Sequence, residues 1–115
     1  MDERLERALE FSNYRRTLSN QKRNIISRMQ ILQTVHYNNG VFFADPITIS
    51  FVHALLQSGK TSAVLIDTKE NPVEIENLIE FQETVLGAYN EASNEFKVQM
   101  DKLKKARNIK KIMDW

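Results

Sequence analysis

Charge on this chain is sorted into blocks, and the order of the blocks restricts how the chain can close on itself. Residues 1–10 carry a net −2. Residues 11–44 carry +5 with no acid, residues 45–95 carry −7, and residues 96–115 carry +5, leaving +1 overall. Two ends that run antiparallel set each block beside its opposite. An exposed ion pair contributes only about 0–1 kcal/mol, so the blocks set orientation more than stability. The burial must come from apolar periodicity.

That periodicity divides the chain into five parts. From Asp2 to Gln33 it is helical: Phe11, Leu18, Ile25 and Leu32 recur every seven residues, Tyr14 and Met29 join the stripe, and no Gly or Pro interrupts it. Thr34 to Ala44 then holds Val35, Tyr37, Val41, Phe42 and Phe43 around Asn39-Gly40, the favoured pair for a two-residue hairpin turn. The spacing predicts strands over 34–38 and 41–44. Asp45-Pro46 supplies a cap and a first helical residue, Ile47, Phe51, Val52, Leu55 and Leu56 form the apolar face of a short helix, and Gly59 stops it. Ser62–Asp67 (SAVLID) and Pro72–Ile75 make a second hairpin around a polar turn. From about Glu76 the period is helical again, with Leu78, Val85 and Ala92 at one heptad position and Tyr89, Phe96 and Leu103 at another.

The expected fold is therefore α+β, in the order α-ββ-α-ββ-α and as a single domain over 1–115. It consists of a long helix over 1–33, a ββ-α-ββ centre over 34–75, a long helix over 76–108, and a stretch 109–115 that continues the helix or forms a tail. The two long helices, each about 45–50 Å at 1.5 Å per residue, are expected antiparallel. The acids Glu76, Glu80, Glu83 and Glu91 would face the basic end of the first helix, and Lys102, Lys104 and Lys105 would face Glu3, Glu6 and Glu10. The centre is expected to form a small, mainly antiparallel sheet with the short helix on one face.

Composition excludes several function classes. There is no cysteine, which rules out disulfides, thiolate metal sites and cysteine nucleophiles. No apolar run approaches the roughly 18–20 residues of a membrane span, and the charged start MDERLERALE lacks the apolar core of a signal peptide. The expected setting is intracellular, with no membrane partner.

Motifs with chemistry are weak. Gly59-Lys60-Thr61 ends like a phosphate-binding loop, but that loop needs glycine where Ala54 stands, and the order here is helix then strand. His36 and His53 have no metal-ligand spacing. The carboxylates Asp67, Glu70, Glu74 and Glu76 border a turn and a helix start, where they serve the helix dipole better than acid–base work. Ser12, Ser19, Ser27 and Ser50 lack a nucleophile's context. No catalytic residue, metal site or cofactor is expected.

The basic blocks are what remains. Arg15, Arg16, Lys22 and Arg23 on the first helix and Lys102, Lys104 and Lys105 on the last are candidate contacts for nucleic-acid phosphates. Arg107, Lys110, Lys111, Ile112, Met113 and Trp115 combine charge with an aromatic anchor and are the candidate partner-binding residues, for another protein or a second copy in a homo-oligomer.

The stretches GKTSAVLIDTKENPVEIENLIEF (59–81), KLKKARNIKKIMDW (102–115) and FSNYRRTLSNQK (11–22) resemble small uncharacterised proteins of T4-like tailed phages, especially those of marine cyanobacteria. The resemblance implies a phage-encoded accessory or structural protein in the host cytoplasm or the virion, and carries no functional residues with it.

Overall fold

A computed structural model describes the backbone of residues 2–113 and side chains through Ala106. The order is α1 (Glu3–Gln33), β1 (Thr34–Tyr37), β2 (Gly40–Phe43), α2 (Pro46–Gln57), β3 (Ala63–Ile66), β4 (Pro72–Ile75) and α3 (Leu78–Met113). This is the expected α-ββ-α-ββ-α arrangement. The chain divides into two compact units: a central one, Met29–Asn94, and a terminal one, Met1–Arg28 with Glu95–Trp115.

In the central unit the two hairpins form two separate antiparallel two-stranded sheets, β1–β2 and β3–β4, rather than one. The first turn differs from the sequence expectation by one residue. Asn38 and Asn39 hold the positive φ values (48° and 67°), and Gly40 is already the first residue of β2, paired with Tyr37. Asparagine tolerates the left-handed region, so an Asn-Asn pair can make this turn. Glycine at 40 serves another need: a Cβ there would lie 2.6 Å from Val73 Cγ2 and 2.9 Å from Phe42 Cε2. Gly40→Ala is therefore expected to destabilise by about 1–3 kcal/mol through overpacking, read as a lower urea midpoint with an unchanged m-value. A midpoint at or above wild type would reject the close approach.

The short helix follows its sequence signals closely. The Asp45 carboxylate accepts from Thr48 N–H at 2.7 Å, and Pro46 sits at the first helical turn. At the other end Gly59 takes φ 91°, while Gly59 and Lys60 donate to the carbonyls of Leu56 and Leu55. That is a glycine-terminated helix end, not a phosphate loop. Asn77 caps α3 by accepting from Glu80 N–H at 3.1 Å, so the helix starts at Leu78, two residues later than the periodicity suggested.

The core lies in this unit. Phe81, Ile75, Leu78, Val52 and Val85 are fully buried, with Val35, Phe42, Leu65 and Val73 around them. Phe81 makes edge-to-face contacts with Phe42 (5.0 Å) and Tyr37 (5.2 Å). Gln33, buried where α1 meets β1, donates through Nε2 to the Ala44 carbonyl at 3.0 Å.

In the terminal unit α1 and α3 run antiparallel. Arg28 reaches Glu95 at 4.0 Å, and Gln21, Asn24 and Ile25 share a groove of about 340 Å³ with Gln99, Lys102, Leu103 and Ala106. Tyr14, Leu18, Ile25, Phe96, Met100 and Leu103 are half-buried. Phe11, expected in the stripe, is 61 % exposed, with the Arg15 guanidinium 5.8 Å above its ring. The opposed charge blocks meet less than expected. Arg28–Glu95 is the one cross-helix ion pair among the described residues, and Lys102 lies by Gln21 and Asn24 instead of by Glu3, Glu6 and Glu10.

Candidate functional site: an apolar groove in the central unit

The direction of each backbone group follows from the ladders. Ala44 N–H donates to the Gln33 carbonyl at 2.7 Å, which extends the β1–β2 register and makes Val35–Phe42 and Tyr37–Gly40 its hydrogen-bonded pairs. The amides of Val41 and Phe43 therefore point away from β1. Asp67 N–H donates to the Asn71 carbonyl at 2.9 Å and extends the β3–β4 register in the same way. The amides and carbonyls of Val64 and Ile66 therefore point away from β4.

These two outward edges meet at one end. Thr68 donates to the Val41 carbonyl from its amide (2.8 Å) and its hydroxyl (2.9 Å), and Val41 N–H donates to Asp67 Oδ2 at 3.0 Å. Asp67 also accepts from the amides of Lys69 (3.0 Å) and Asn71 (2.8 Å) through Oδ1. These backbone donors, Val41 and Asn71 foremost, hold its carboxyl below the usual carboxylate range. Asp67 is only 6 % exposed, while Glu74 is exposed on β4, so the two do not form a buried acid–base pair.

Beyond this junction the β2 and β3 edges leave a groove of about 500 Å³. Its walls include Phe42 and Phe43 on one side and Val64 and Ile66 on the other, with Ile47 and Phe51 of α2. Ile47, Phe51, Val64 and Ile66 are 80, 54, 63 and 65 % exposed. One expectation changes here: Ile47 and Phe51 do not join Val52 in the core. SAVLID is apolar on both faces of its strand. Leu65 is buried, and the opposite face is apolar as well. No charged residue lies between Thr61 and Ile66 to guard this edge. The sequence signal for the groove is the missing polar alternation along β3.

The other candidate residues lie elsewhere. Arg15, Arg16, Lys22 and Arg23 are exposed on α1, and Lys102, Lys104 and Lys105 are exposed on α3. None of these seven forms an ion pair within 4.0 Å among the described residues. Arg107, Lys110, Lys111, Ile112, Met113 and Trp115 lie outside the described side chains. His36 is exposed on β1, and His53 Nδ1 lies 3.3 Å from Gln82 Nε2 at the surface. Tyr37, Asn38, Glu76 and Glu80 line a cleft of about 240 Å³, where burial, then Glu80, then Glu76 raise the Tyr37 phenol above its usual range. Among the described residues no three His, Cys, Asp or Glu side chains are placed to hold a metal, and no helix is long and apolar enough to cross a membrane.

Compared with protein-family models, with curated proteins and with solved structures, the chain matches none.

Proposed function

We propose that this protein is a non-enzymatic interaction or assembly module, and that the groove between β2 and β3 is its docking site. One observation carries the reading: four large apolar side chains stand exposed around a concavity bordered by an uncharged, open strand edge. Isolated exposed apolar residues need no explanation, but a grouped set around a groove marks a surface that is covered in use. Apolar grooves of this kind take either an extended segment along the strand edge or the apolar face of an amphipathic helix, with side-chain pockets adding selectivity. The sequence resemblance adds the expectation of a phage-encoded accessory or structural component, working in the host cytoplasm or the virion.

A random peptide library selected on the wild-type protein and counter-selected on Ile66→Lys tests this. Enriched peptides are expected to carry apolar residues at regular spacing and to bind at least tenfold more weakly to Ile66→Lys and to Phe51→Glu. A selection that yields only peptides indifferent to both substitutions would reject the groove as a docking site.

A second reading has its own support. Among the described residues none of the seven basic candidates makes an ion pair, and four of them, Arg15, Arg16, Lys22 and Arg23, form one stripe along α1 at helical spacing. Such a stripe fits a nucleic-acid backbone, and the reading requires affinity that falls steeply with salt.

A further inference from the structure

We infer that the groove takes a second copy of this chain, which enters head-to-tail through its basic C-terminal segment, residues 107–115. The inference rests on the reading of the groove as a docking site and names its occupant.

Charge argues for this occupant. The central unit, which holds the groove, contains eight acids and two bases, a net −6. The terminal unit contains fourteen bases and seven acids, a net +7. Two grooves brought face to face would set −6 against −6. A groove that meets the terminal unit of another copy sets −6 against +7, which favours encounter and fixes orientation.

Chemistry narrows the choice within the terminal unit. The groove is walled by Phe43, Ile47, Phe51, Val64 and Ile66, with Asp45 among its lining residues. Residues 107–115 (RNIKKIMDW) combine Ile109, Ile112, Met113 and Trp115 with Arg107, Lys110 and Lys111. Apolar anchors flanked by cations match an apolar groove in an acidic unit, and tryptophan is the side chain most enriched among residues that dominate binding. Each copy carries one groove and one such segment, so the contact is heterologous. It closes into a ring or extends as a filament, instead of stopping at a two-fold dimer.

Trp115 is the only tryptophan, so the emission of the full chain reports on this segment directly. Its emission maximum is expected to shift to the blue as concentration rises, in step with an increase in mass by light scattering. Both changes are expected to disappear in Ile66→Lys and in Val64→Lys, and to weaken at least tenfold between low and high salt. Both substitutions lie at exposed positions, and circular dichroism checks that they remain folded. The deciding arm mixes Ile66→Lys with a chain ending at Ala106. Each alone is expected to be monomeric, because one lacks the groove and the other lacks the segment. Together they are expected to form a 1:1 dimer and nothing larger.

Association that survives in the truncated chain alone would overturn the head-to-tail contact. A monomeric wild type with concentration-independent emission would overturn it too. In either case groove-dependent peptides from the library would leave the docking site standing, whereas their absence as well would remove both readings.

Discussion

Replacing Phe81 by alanine is expected to cost about 4 kcal/mol, within the roughly 3–5 kcal/mol typical of a buried phenylalanine. Phe81 is fully buried, and its ring meets both Phe42 and Tyr37 edge-to-face. Truncation removes the ring's transfer free energy, leaves a cavity among β1, β2 and α3, and breaks two aromatic contacts of about 0.5–1.5 kcal/mol each. A small protein has only about 5–15 kcal/mol of stability in total. Phe81→Ala should therefore lower Tm by roughly 15 °C or more. Phe11→Ala supplies the control: its ring is 61 % exposed, and the expected change is within about 0.5 kcal/mol. The pair is measured by thermal and urea melts followed by circular dichroism. Equal effects at the two positions would mean that the core is not centred on Phe81.

The contrast between these two phenylalanines also shows where sequence periodicity succeeds and fails. Phe11 sits in the heptad stripe of α1, and Phe81 flanks the heptad positions of α3. On α3, Leu78, Phe81, Val85 and Ala92 are buried as their spacing suggests, because β1, β2 and β4 supply apolar partners for that face. On α1 no residue before Gln33 is fully buried. A single antiparallel neighbour covers only part of a helix, and spacing alone does not reveal how many neighbours a stripe will have.

Turn chemistry was legible to within one residue. Asn38-Asn39-Gly40 contains two candidate turn pairs, and a shift by one residue moves every following side chain to the opposite face of the strand. The deciding factor is tertiary. Glycine is needed where Val73 and Phe42 approach Gly40, and the local sequence carries no trace of Val73. The groove was half legible for a related reason. The run Ala63-Val64-Leu65-Ile66 lacks the polar alternation of a half-wet strand, which in itself calls for cover on both faces. Which neighbour leaves the second face open depends on where β2 and β3 diverge, and that point is fixed by Asp67 and Thr68, bonded to Val41 at separations of 26 and 27 residues. In the sequence Asp67 stands in a cluster with Glu70, Glu74 and Glu76 at a turn and a helix start, whereas its actual partners are three backbone amides.

Asp67 is therefore the side chain on which the second large prediction rests. Its carboxylate satisfies Val41, Lys69 and Asn71 at once, which ties the β3–β4 turn to itself and to the edge of β2. Asp67→Ala leaves all three donors without this acceptor, and buried or half-buried donors left unpaired cost more than the bonds themselves return. A fall in Tm of roughly 10 °C at neutral pH is the expected result. Asp67→Asn keeps an acceptor for Lys69 and Asn71 but turns an amide donor toward Val41 N–H or reverses the clash, so it should fall between wild type and alanine. The pH dependence separates the charge from the shape. The folded carboxyl is held below its ordinary value of 3.8, so its contribution is complete above that value and fades as pH falls through it toward the lower folded value. The Tm difference between wild type and Asp67→Asn should thus be constant from pH 7 to about pH 5 and shrink below about pH 4. A difference that stays constant down to pH 2, or widens there, would show that the ionised form is not what Val41, Lys69 and Asn71 hold. Because the same three bonds pin the closed end of the groove, Asp67→Ala should also weaken binding of groove-selected peptides at temperatures where the variant remains folded, an effect that Phe11→Ala should not share.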